Sequence, residues 1–438
     1  MTQPAKRRYL ARPTRSVQGT LSVPGDKSIS HRALMLGGVA EGDTDISGFL
    51  ASEDCLATLT ALRALGVEIE RPAETRVRVH GAGRRGLRAA ASALDMGNAG
   101  TAMRLFMGLL AGQGFDSTLI GDASLMRRPM ERVAQPLRTM GASIRTQQGR
   151  PPVQIQAVTE LAGIDYRLPV ASAQVKSALL LAALSARGRS SISEPAPTRD
   201  HTERMLRGFG VEVEREGLRV SITGGQRLTG CAVEVPGDFS SAAFFLVAGC
   251  LGATAGLTLR GIGMNPTRTG LLQLLRLMGA DIEVEPRGGA SAEPIADIHV
   301  RASALRGIRV PEELVPLAID EFPAFFIAAA AAEGETLVTG ASELRVKESD
   351  RLAVMAAGLA ALGIECELLK DGLRLRGGVM GGGRIDSHGD HRVAMAFAVA
   401  SLIAREPIEI DDVANVATSF PGFADLARSA GLAVSEEG

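Results

Sequence analysis

The chain has very few of the residues on which several large protein classes depend. Its 438 residues include no tryptophan, 2 tyrosines and 13 phenylalanines. So few aromatic rings argue against antibody-like sandwiches and against platforms that stack the bases of single-stranded nucleic acid. The 48 basic and 49 acidic groups nearly cancel. We therefore expect neither nucleic acid nor an anionic membrane to be bound through bulk charge.

Cysteine is scarce as well, and the cysteines do not have the spacing of metal ligands. Cys55, Cys231, Cys250 and Cys366 form no CxxC motif and no cluster with histidine. We therefore expect no metal site, and reduced thiols in a cytoplasmic chain. The first residues are rich in arginine but lack an apolar core, so no secretory signal is predicted. The chain also lacks a GxxxxGK[ST] phosphate loop and a GxSxG elbow.

One long uncharged stretch, residues 239–259, must be considered as a membrane span. It contains several Ser, Thr and Gly residues among its apolar ones. The repeats of the chain give a better interpretation, which is a buried helix followed by a strand. We therefore expect no membrane partner.

A short sequence motif recurs six times along the chain. Each copy is typical of a helix that ends in glycine and is followed by a strand of alternating apolar and polar residues. LRALGVEIE, LRTMGASIR, LRGFGVEVE, LRLMGADIE and LAALGIECE are clear copies, and ARSAGLAVS is a worn one. Glycine suits the left-handed residue that closes a helix, and alternation suits a half-buried strand. The helix-closing glycines are Gly66, Gly141, Gly210, Gly279, Gly363 and Gly431.

A second recurring segment starts polar and continues with small apolar residues, which predicts a helix that is buried on all sides. It occurs at residues 27–40, 98–112, 172–186, 239–253, 320–332 and 389–404. VPGDKS at 23–28 returns as VPGDFS at 235–240. The chain is therefore predicted to consist of two halves with three units each.

Two similar halves with a crossing at each VPGD sequence predict two domains joined by two connecting segments. We expect residues 1–23 and 238–438 to form one domain, in which an N-terminal strand joins the C-terminal half. Residues 24–237 form the other. A double-crossing hinge permits closure around a ligand, so we expect the active site in the cleft between the domains.

Charge collects at the starts of the predicted buried helices. Helix N-termini favour anions, and Lys27, Arg32 and Arg392 all lie in such first turns, with further cations in LMRRPMER, PTRDHTER and RVKESDR. These cations predict a pocket for a substrate with several phosphates or carboxylates. Asp320 and Glu348 occur among them. Each could be a salt-bridge partner or a group that transfers protons.

Seven segments of the chain resemble, in order, the motifs of a known family. VPGDKSISHRAL, GNAGTAMR, GDASLMRRPM, SAQVKSALLLA, IDEFP, RVKESDR and GDHRVAMA are similar to sequences of the 5-enolpyruvylshikimate-3-phosphate synthases. The resemblance implies an α/β fold with mixed sheets and two similar domains joined by a double-crossing hinge. Each domain would hold three βαβαββ units with buried helices. The resemblance implies no metal and no organic cofactor.

The family transfers the enolpyruvyl group of phosphoenolpyruvate to the 5-hydroxyl of shikimate 3-phosphate. Phosphate leaves after a tetrahedral intermediate has formed. The resemblance therefore implies this step of chorismate and aromatic amino acid biosynthesis for the present chain. It implies two small-molecule substrates, glyphosate as a candidate inhibitor, and a cytoplasmic enzyme that we expect to be a monomer.

The resemblance also implies roles for individual residues. Asp320 is similar to the base that takes the 5-hydroxyl proton, and Glu348 to the acid that protonates the methylene carbon, a role for which Lys27 competes. The residues that match shikimate 3-phosphate contacts are Lys27, Ser28, Arg32, Ser172, Ala173, Gln174, Arg199, Asp320 and Lys347. The residues that match the phosphoenolpyruvate side are Lys27, Gly100, Arg128, Gln174, Arg351 and Arg392.

The chain departs from the family pattern and mixes its two classes. Residues 417–421 lack a lysine that many members carry before the final Phe-Pro, and Glu343 stands where many have Asn. SAQVK, RDHTE and NPTR resemble the glyphosate-tolerant class, whereas Gly100 resembles the sensitive class. Arg199 is a candidate for supplying part of the missing charge, and the response to the inhibitor stays open.

Two alternative functions also stay open. UDP-N-acetylglucosamine enolpyruvyl transferase shares the implied fold and chemistry, but it carries a reactive cysteine where GDASLMRRPM has none. The other alternative is a non-catalytic scaffold of six repeats that binds an anionic partner. Such a scaffold predicts a broad exposed face, whereas the polar clusters here precede buried helices.

Overall fold

The computed structural model describes residues 7–288 and 293–438. The chain divides into two compact units. The terminal unit consists of residues 7–24, 236–288 and 294–438, and the middle unit consists of residues 25–235 together with Glu293. Each unit has a hydrophobic core of its own.

The chain starts with two strands of the terminal unit, β1 (Arg8–Arg12) and β2 (Gly19–Leu21). It then builds the middle unit. The helices of the middle unit are α1 (Lys27–Val39), α2 (Glu53–Ala64), α3 (Gly100–Leu110), α4 (Glu131–Thr139), α5 (Ala173–Ala183) and α6 (His201–Gly208). Its strands are β3 (Glu41–Ser47), β4 (Glu68–Ala73), β5 (Arg76–Ala82), β6 (Leu94–Asp95), β7 (Ser117–Ile120), β8 (Ser143–Gln147), β9 (Arg150–Gln156), β10 (Leu161–Ala162), β11 (Asp165–Arg167), β12 (Ala186–Arg187), β13 (Arg189–Ser193), β14 (Val213–Glu216), β15 (Arg219–Thr223) and β16 (Ala232–Glu234).

The remainder of the chain completes the terminal unit. Its helices are α7 (Phe239–Gly252), α8 (Gly270–Leu277), α9 (Phe322–Ala331), α10 (Arg351–Ala361), α11 (His391–Ala400) and α12 (Phe423–Ser429). Its strands are β17 (Leu257–Gly263), β18 (Asp281–Arg287), β19 (Ile295–Arg301), β20 (Glu335–Val338), β21 (Cys366–Leu368), β22 (Leu373–Arg376), β23 (Gly383–Asp386), β24 (Ile408–Asp411) and β25 (Ala433–Glu437).

The three four-stranded sheets of the middle unit follow one pattern, and β10 and β12 form a separate two-stranded parallel sheet. Their strand orders are β16-β3-β5-β4, β6-β7-β9-β8 and β11-β13-β15-β14. In each sheet the first two strands are parallel and the other neighbours are antiparallel. Each sheet thus belongs to one βαβαββ repeat, as the family resemblance implied. Strand β16 comes last in the unit but supplies the first strand of the first repeat.

The sheets of the terminal unit draw on both ends of the chain. Strand β2 lies parallel to β17 in the sheet β2-β17-β19-β18, and β1 lies between β24 and β25 in the sheet β23-β24-β1-β25. The N-terminal residues thus add two strands, one more than predicted. The third sheet, β20-β22-β21, has three strands. There the expected first strand is reduced to isolated bridges from Arg306 to Glu333 and from Arg309 to Leu337.

The repeated glycines close helices as predicted. All six have left-handed backbones, with φ between +85° and +106°, and each follows one of the even-numbered helices and precedes a strand. The other recurring segment forms the odd-numbered helices. In the middle unit α3 packs against α1 and α5, and α1 is joined to α5 by a hydrogen bond; in the terminal unit α7, α9 and α11 contact one another.

The uncharged stretch at 239–259 forms the buried helix α7 and the start of strand β17, as predicted. Residues 239–250 of this helix are all buried. Within the described ranges, no helix is both long enough and apolar enough to cross a membrane.

The close approach of α3 to α5 leads to a testable prediction about stability. A Cβ atom on Gly108 would lie 2.0 Å from the carbonyl oxygen of Ala178, which is backbone that cannot turn away. We expect Gly108→Ala to lower the free energy of unfolding by about 1–3 kcal/mol or more, because the two helices must separate. The midpoint of urea-induced unfolding measures this change.

Gly208→Ala is the matched control, because a Cβ atom on this helical glycine meets nothing within 4 Å. Alanine loses less backbone entropy than glycine on folding, so we expect this variant to be unchanged or more stable by about 0.5–1 kcal/mol. Equal midpoints for the two variants would contradict the packing argument.

Candidate active site

Helix α1 starts with an anion and a cation next to each other. The Asp26 side chain accepts a hydrogen bond from the Ile29 N–H at 2.9 Å and caps the helix. Lys27 follows, and its ammonium group is ion-paired with Asp54, which is only 4% exposed. The Lys27 side chain keeps 19% of its surface exposed. The cation is therefore positioned by a buried carboxylate yet open to a ligand.

Arg32 lies one turn further along α1 and is almost fully buried. Its guanidinium donates to Thr202 Oγ1 at 2.7 Å, to Ser177 Oγ at 2.9 Å and to the carbonyl oxygen of Ser28 at 2.9 Å. These bonds join α1 to α5 and α6. The orientation of Arg32 is thus set by hydroxyl groups on two neighbouring helices.

The starts of α3 and α5 are joined by another arginine. Arg104 donates to Gln174 Oε1 at 2.7 Å, and Gln174 Nε2 donates to Thr101 Oγ1 at 2.9 Å. Arg104 also reaches the carbonyl oxygen of Pro129 at 3.3 Å. Gln174 is therefore held by two side chains of α3.

Gly100 is the first residue of α3 and lies directly against two guanidinium groups. A Cβ atom here would lie 2.8 Å from Arg128 Nη1 and 3.2 Å from Arg104 Nη1. Arg128 donates to Asn98 Oδ1 at 2.6 Å, and Asn98 donates to Asp122 Oδ2 at 2.7 Å. The absence of a side chain at Gly100 thus makes the space that Arg128 occupies.

Three further predicted residues lie near these helix starts. Ser172 caps α5 by accepting a hydrogen bond from the Val175 N–H at 3.4 Å, and Ala173 is the first helical residue. Arg199 lies two residues before α6 and is half-buried. The structure therefore brings the middle-unit residues of the prediction to the N-terminal ends of its helices.

Lys176 forms buried ion pairs inside the middle unit. Its ammonium group is 2.7 Å from Glu194 Oε2 and 2.8 Å from Glu203 Oε1, and its side chain is completely buried. Lys176 and Glu203 belong to the SAQVK and RDHTE motifs. These motif residues therefore tie α5 to α6 instead of facing solvent.

Buried titratable groups beside Lys27 are held in their neutral forms. Burial, together with Lys27 and Arg32, lowers the pKa of His31 well below its usual value. Burial raises the pKa of the Cys55 thiol to about 12. Neither group is therefore suited to act as an imidazolium acid or as a thiolate nucleophile near neutral pH.

In the terminal unit, Asp320 lies just before α9 and is flanked by cations. Its Oδ1 atom is 3.4 Å from Lys347 Nζ and 3.3 Å from Arg351 Nη1. Its side chain is 13% exposed. This carboxylate is thus partly accessible, and two positive groups favour its ionised form.

Arg351, the first residue of α10, connects the acids of this cluster. It donates to Asp390 Oδ2 at 2.8 Å, to Glu348 Oε2 at 2.5 Å and to Asp320 Oδ1 at 3.3 Å. Burial alone would lower the pKa of Arg351, but Asp390, Glu348 and Asp320 outweigh burial and raise it above its usual value. Burial would raise the pKa of Asp390, but the charge and hydrogen bond of Arg351, together with His391, lower it below its usual value.

Arg392, in the first turn of α11, completes the cluster. Its Nη1 atom donates to the backbone carbonyl oxygen of Asp320 at 2.9 Å and lies 3.8 Å from Glu321 Oε1. The five predicted residues of the terminal unit, which are Asp320, Lys347, Glu348, Arg351 and Arg392, therefore form one connected group. Asp320 and Glu348 are ion-paired and also placed among cations, so both interpretations of these acids agree with the geometry.

One group of described residues has metal-ligand chemistry, and it lies elsewhere. Glu68, Glu70 and His80 bring one potential ligand atom each to within 4.8 Å of one another on β4 and β5. His80 Nδ1 is 2.8 Å from Asp43 Oδ1, and this hydrogen bond raises the pKa of His80. Proton binding then competes with metal binding at this exposed pair of strands.

Four residues that hold the predicted ones in place have no predicted role of their own, and these are Asp54, Arg104, Glu321 and Asp390. Asp54 lies outside the seven motifs, and the other three lie within them. No spacing rule connects Asp54 to Lys27, because the pair depends on how α2 packs against α1. The acid at the start of α11 could have been recognised as a helix cap, since Asp is favoured there.

Comparisons with known proteins agree over nearly the whole chain. The family model described as EPSP synthase (3-phosphoshikimate 1-carboxyvinyltransferase) matches residues 11–426. A 3-phosphoshikimate 1-carboxyvinyltransferase of Alkalilimnicola ehrlichii is 61% identical over 429 residues, which cover 98% of this chain and 96% of the relative. One of Methylococcus capsulatus is 59% identical over 425 residues, or 97% of each chain.

A solved structure of EPSP synthase from Acinetobacter baumannii is 52% identical to this chain. The likeness has a TM-score of 0.89 and covers 99% of this chain and 100% of the solved one. It confirms the predicted mixed α/β fold class. On the family match and the identities together, the chain belongs to the EPSP synthase family.

Proposed function

We propose that the protein transfers the enolpyruvyl group of phosphoenolpyruvate to the 5-hydroxyl of shikimate 3-phosphate and releases phosphate. The observation that carries the proposal is the connected group of Asp320, Lys347, Glu348, Arg351 and Arg392. It places two carboxylates for proton transfer beside three cations for anionic substrates. Membership of the family supports the same reaction.

The reaction needs cations for two phosphates and a carboxylate, and both units supply them. We assign shikimate 3-phosphate to Lys27, Ser28, Arg32, Ser172, Ala173, Gln174, Arg199, Asp320 and Lys347. We assign phosphoenolpyruvate to Lys27, Gly100, Arg128, Gln174, Arg351 and Arg392. These assignments include residues of both units.

In the addition step, the 5-hydroxyl oxygen forms a bond to C2 of the enol, and Asp320 takes the hydroxyl proton. The methylene carbon C3 takes a proton from Glu348 or from Lys27, and the tetrahedral intermediate results. In the elimination step, the bond from C2 to the phosphate oxygen breaks, C3 gives up a proton and the double bond forms again. The ion pairs of Asp320 with Lys347 and Arg351 support its role as an ionised base.

The cysteines argue against the alternative transferase. Burial raises the pKa of all four thiols, and it does so to about 12 for Cys55 and for Cys250. A reactive cysteine needs a lowered thiol pKa. Four free thiols also support our inference that the enzyme is cytoplasmic. We also infer that the enzyme is a monomer, as expected in the sequence analysis.

A phosphate-release assay with both substrates tests the proposed function. We expect phosphate to be released only when phosphoenolpyruvate and shikimate 3-phosphate are both present. Release with UDP-N-acetylglucosamine in place of shikimate 3-phosphate would favour the alternative transferase. The absence of release with either acceptor would favour a non-catalytic scaffold.

Lys27→Met tests the cation that is assigned to both substrates. We expect kcat/KM to fall by at least ~10³-fold, which corresponds to about 4 kcal/mol of transition-state stabilisation, because methionine keeps the packing but not the charge. Lys370→Met is the control, since Lys370 is an exposed lysine in a turn. Near-normal turnover of a folded Lys27→Met protein would refute the assignment.

Gly100→Ala tests the proposed phosphoenolpyruvate side. The new methyl group would displace the Arg128 guanidinium, whose Nη1 atom lies 2.8 Å from the Cβ position. Glyphosate resembles phosphoenolpyruvate but is longer, so we expect its Ki to rise by a larger factor than the KM for phosphoenolpyruvate. Steady-state inhibition at matched shikimate 3-phosphate measures both constants.

Gly208→Ala, with open space at its Cβ position, should leave both constants unchanged. A parallel rise of Ki and KM in Gly100→Ala, or a rise of KM alone, would show that Gly100 does not face the phosphoenolpyruvate pocket as proposed.

A further inference from the structure

Three acids occupy the N-cap positions of the three buried helices in the terminal unit, and one of them behaves differently. Asp238 and Asp390 accept hydrogen bonds from the backbone of their own helices, from the Ser240 N–H at 2.7 Å and the Arg392 N–H at 3.0 Å. Glu321, at the N-cap of α9, makes no such bond. Its side chain therefore serves something other than its own helix.

The Glu321 carboxylate extends between the neighbouring helices. It accepts a hydrogen bond from Ser240 Oγ on α7, and its Oε1 atom lies 3.8 Å from Arg392 Nη1 on α11. The same oxygen is 4.0 Å from Arg268 Nη2. The Glu321 side chain has no exposed surface. A buried carboxylate is costly unless it is paired, so its position here depends on these partners.

Arg268 binds the residues that lie next to the Glu321 carboxylate. Its guanidinium donates to Ser240 Oγ at 2.6 Å and to Asp238 Oδ1 at 3.2 Å, and its side chain is 3% exposed. Arg268 is the arginine of the NPTR motif. Together with Ser240 it fixes where the Glu321 carboxylate can lie.

The position of the Glu321 carboxylate affects residues of the proposed site. Arg392 donates a hydrogen bond to the carbonyl oxygen of Asp320 and forms an ion pair with the carboxylate of Glu321. The Asp320 side chain meets Lys347 and Arg351 on its other side. A shift of Glu321 would therefore move the guanidinium of Arg392 and the backbone of Asp320 together.

We propose that Glu321 is a positioning residue for the transfer reaction, acting through Arg392 and Asp320, with Ser240 and Arg268 holding it in place. This inference rests on the proposed function. Glu321 contacts no reacting atom in this account. Its contribution is to orient the cation assigned to phosphoenolpyruvate and the base assigned to the 5-hydroxyl.

Glu321→Asp is the decisive variant, because it keeps the charge and shortens the reach. Aspartate is favoured at the N-cap. We therefore expect the shorter carboxylate to accept a hydrogen bond from the backbone of α9 and to lose its contacts with Ser240 and Arg392. We expect the melting temperature to stay within about 2 °C or to rise. We expect kcat/KM for phosphoenolpyruvate to fall about tenfold or more, and the KM for shikimate 3-phosphate to change less.

The control is the same substitution at another helix start, Glu131→Asp at the first residue of α4. Glu131 pairs with Arg138 on the surface, with 48% of its side chain exposed. We expect its kinetics to match the parent enzyme. Ser240→Ala is the second variant, which removes one partner of Glu321 and should change the same constants in the same direction by a smaller factor.

The outcomes separate this inference from the proposed function. If the parent enzyme releases no phosphate with both substrates, the proposed function is wrong. If the parent is active and Glu321→Asp matches it, or if both KM values rise equally, the positioning role is wrong. If Glu321→Asp does not fold, Ser240→Ala decides by the same comparison of the two substrates.

Discussion

The close packing of three apolar helices inside each unit constrains everything else in this protein. Helices α1, α3 and α5 contact one another, as do α7, α9 and α11, and nearly all their residues are buried. Such helices have no polar face to offer. Charged groups therefore concentrate near the helix starts, where unpaired backbone N–H groups need partners and favour anions. Most of the predicted site residues lie near helix starts for this reason.

In each unit a buried charged side chain links the starts of neighbouring helices. In the middle unit this side chain is the cation Arg104, which is bound to Gln174 and to backbone carbonyl oxygens. In the terminal unit it is the anion Glu321, which lies near Arg268 and Arg392. Arg104 thereby joins α3 to α5, and Glu321 joins the start of α9 to α7.

Most of the fold could be predicted from the sequence because its repeats are local. The glycine that closes each even-numbered helix and the polar start of each buried helix are signals within about ten residues of chain. The strand that is missing beside β20 was not predictable, since its segment pairs only through isolated bridges. The second added strand at the N-terminus depends on pairing with β17, which is distant in sequence.

The candidate site was predicted less completely, for a related reason. Lys27, Asp320 and Arg351 were found because they occur in recognisable motifs. Their partners Asp54 and Asp390 are chosen by tertiary contacts between helices. A sequence pattern indicates that a cation precedes a buried helix, but the packing decides which carboxylate meets it.

Three residues of the motifs that resemble the glyphosate-tolerant class have structural contacts inside the two units. Lys176 and Glu203 pair with each other inside the middle unit, and Arg268 binds Asp238 and Ser240 in the terminal unit. All three side chains are buried and hold helix starts together. Their bonds are made to other protein groups, so these three residues act on a ligand only through the residues that they orient. Gly100 differs from them, because a guanidinium group directly fills the space beside it. The two patterns therefore concern different parts of the structure, and a chain that combines them contains no physical contradiction.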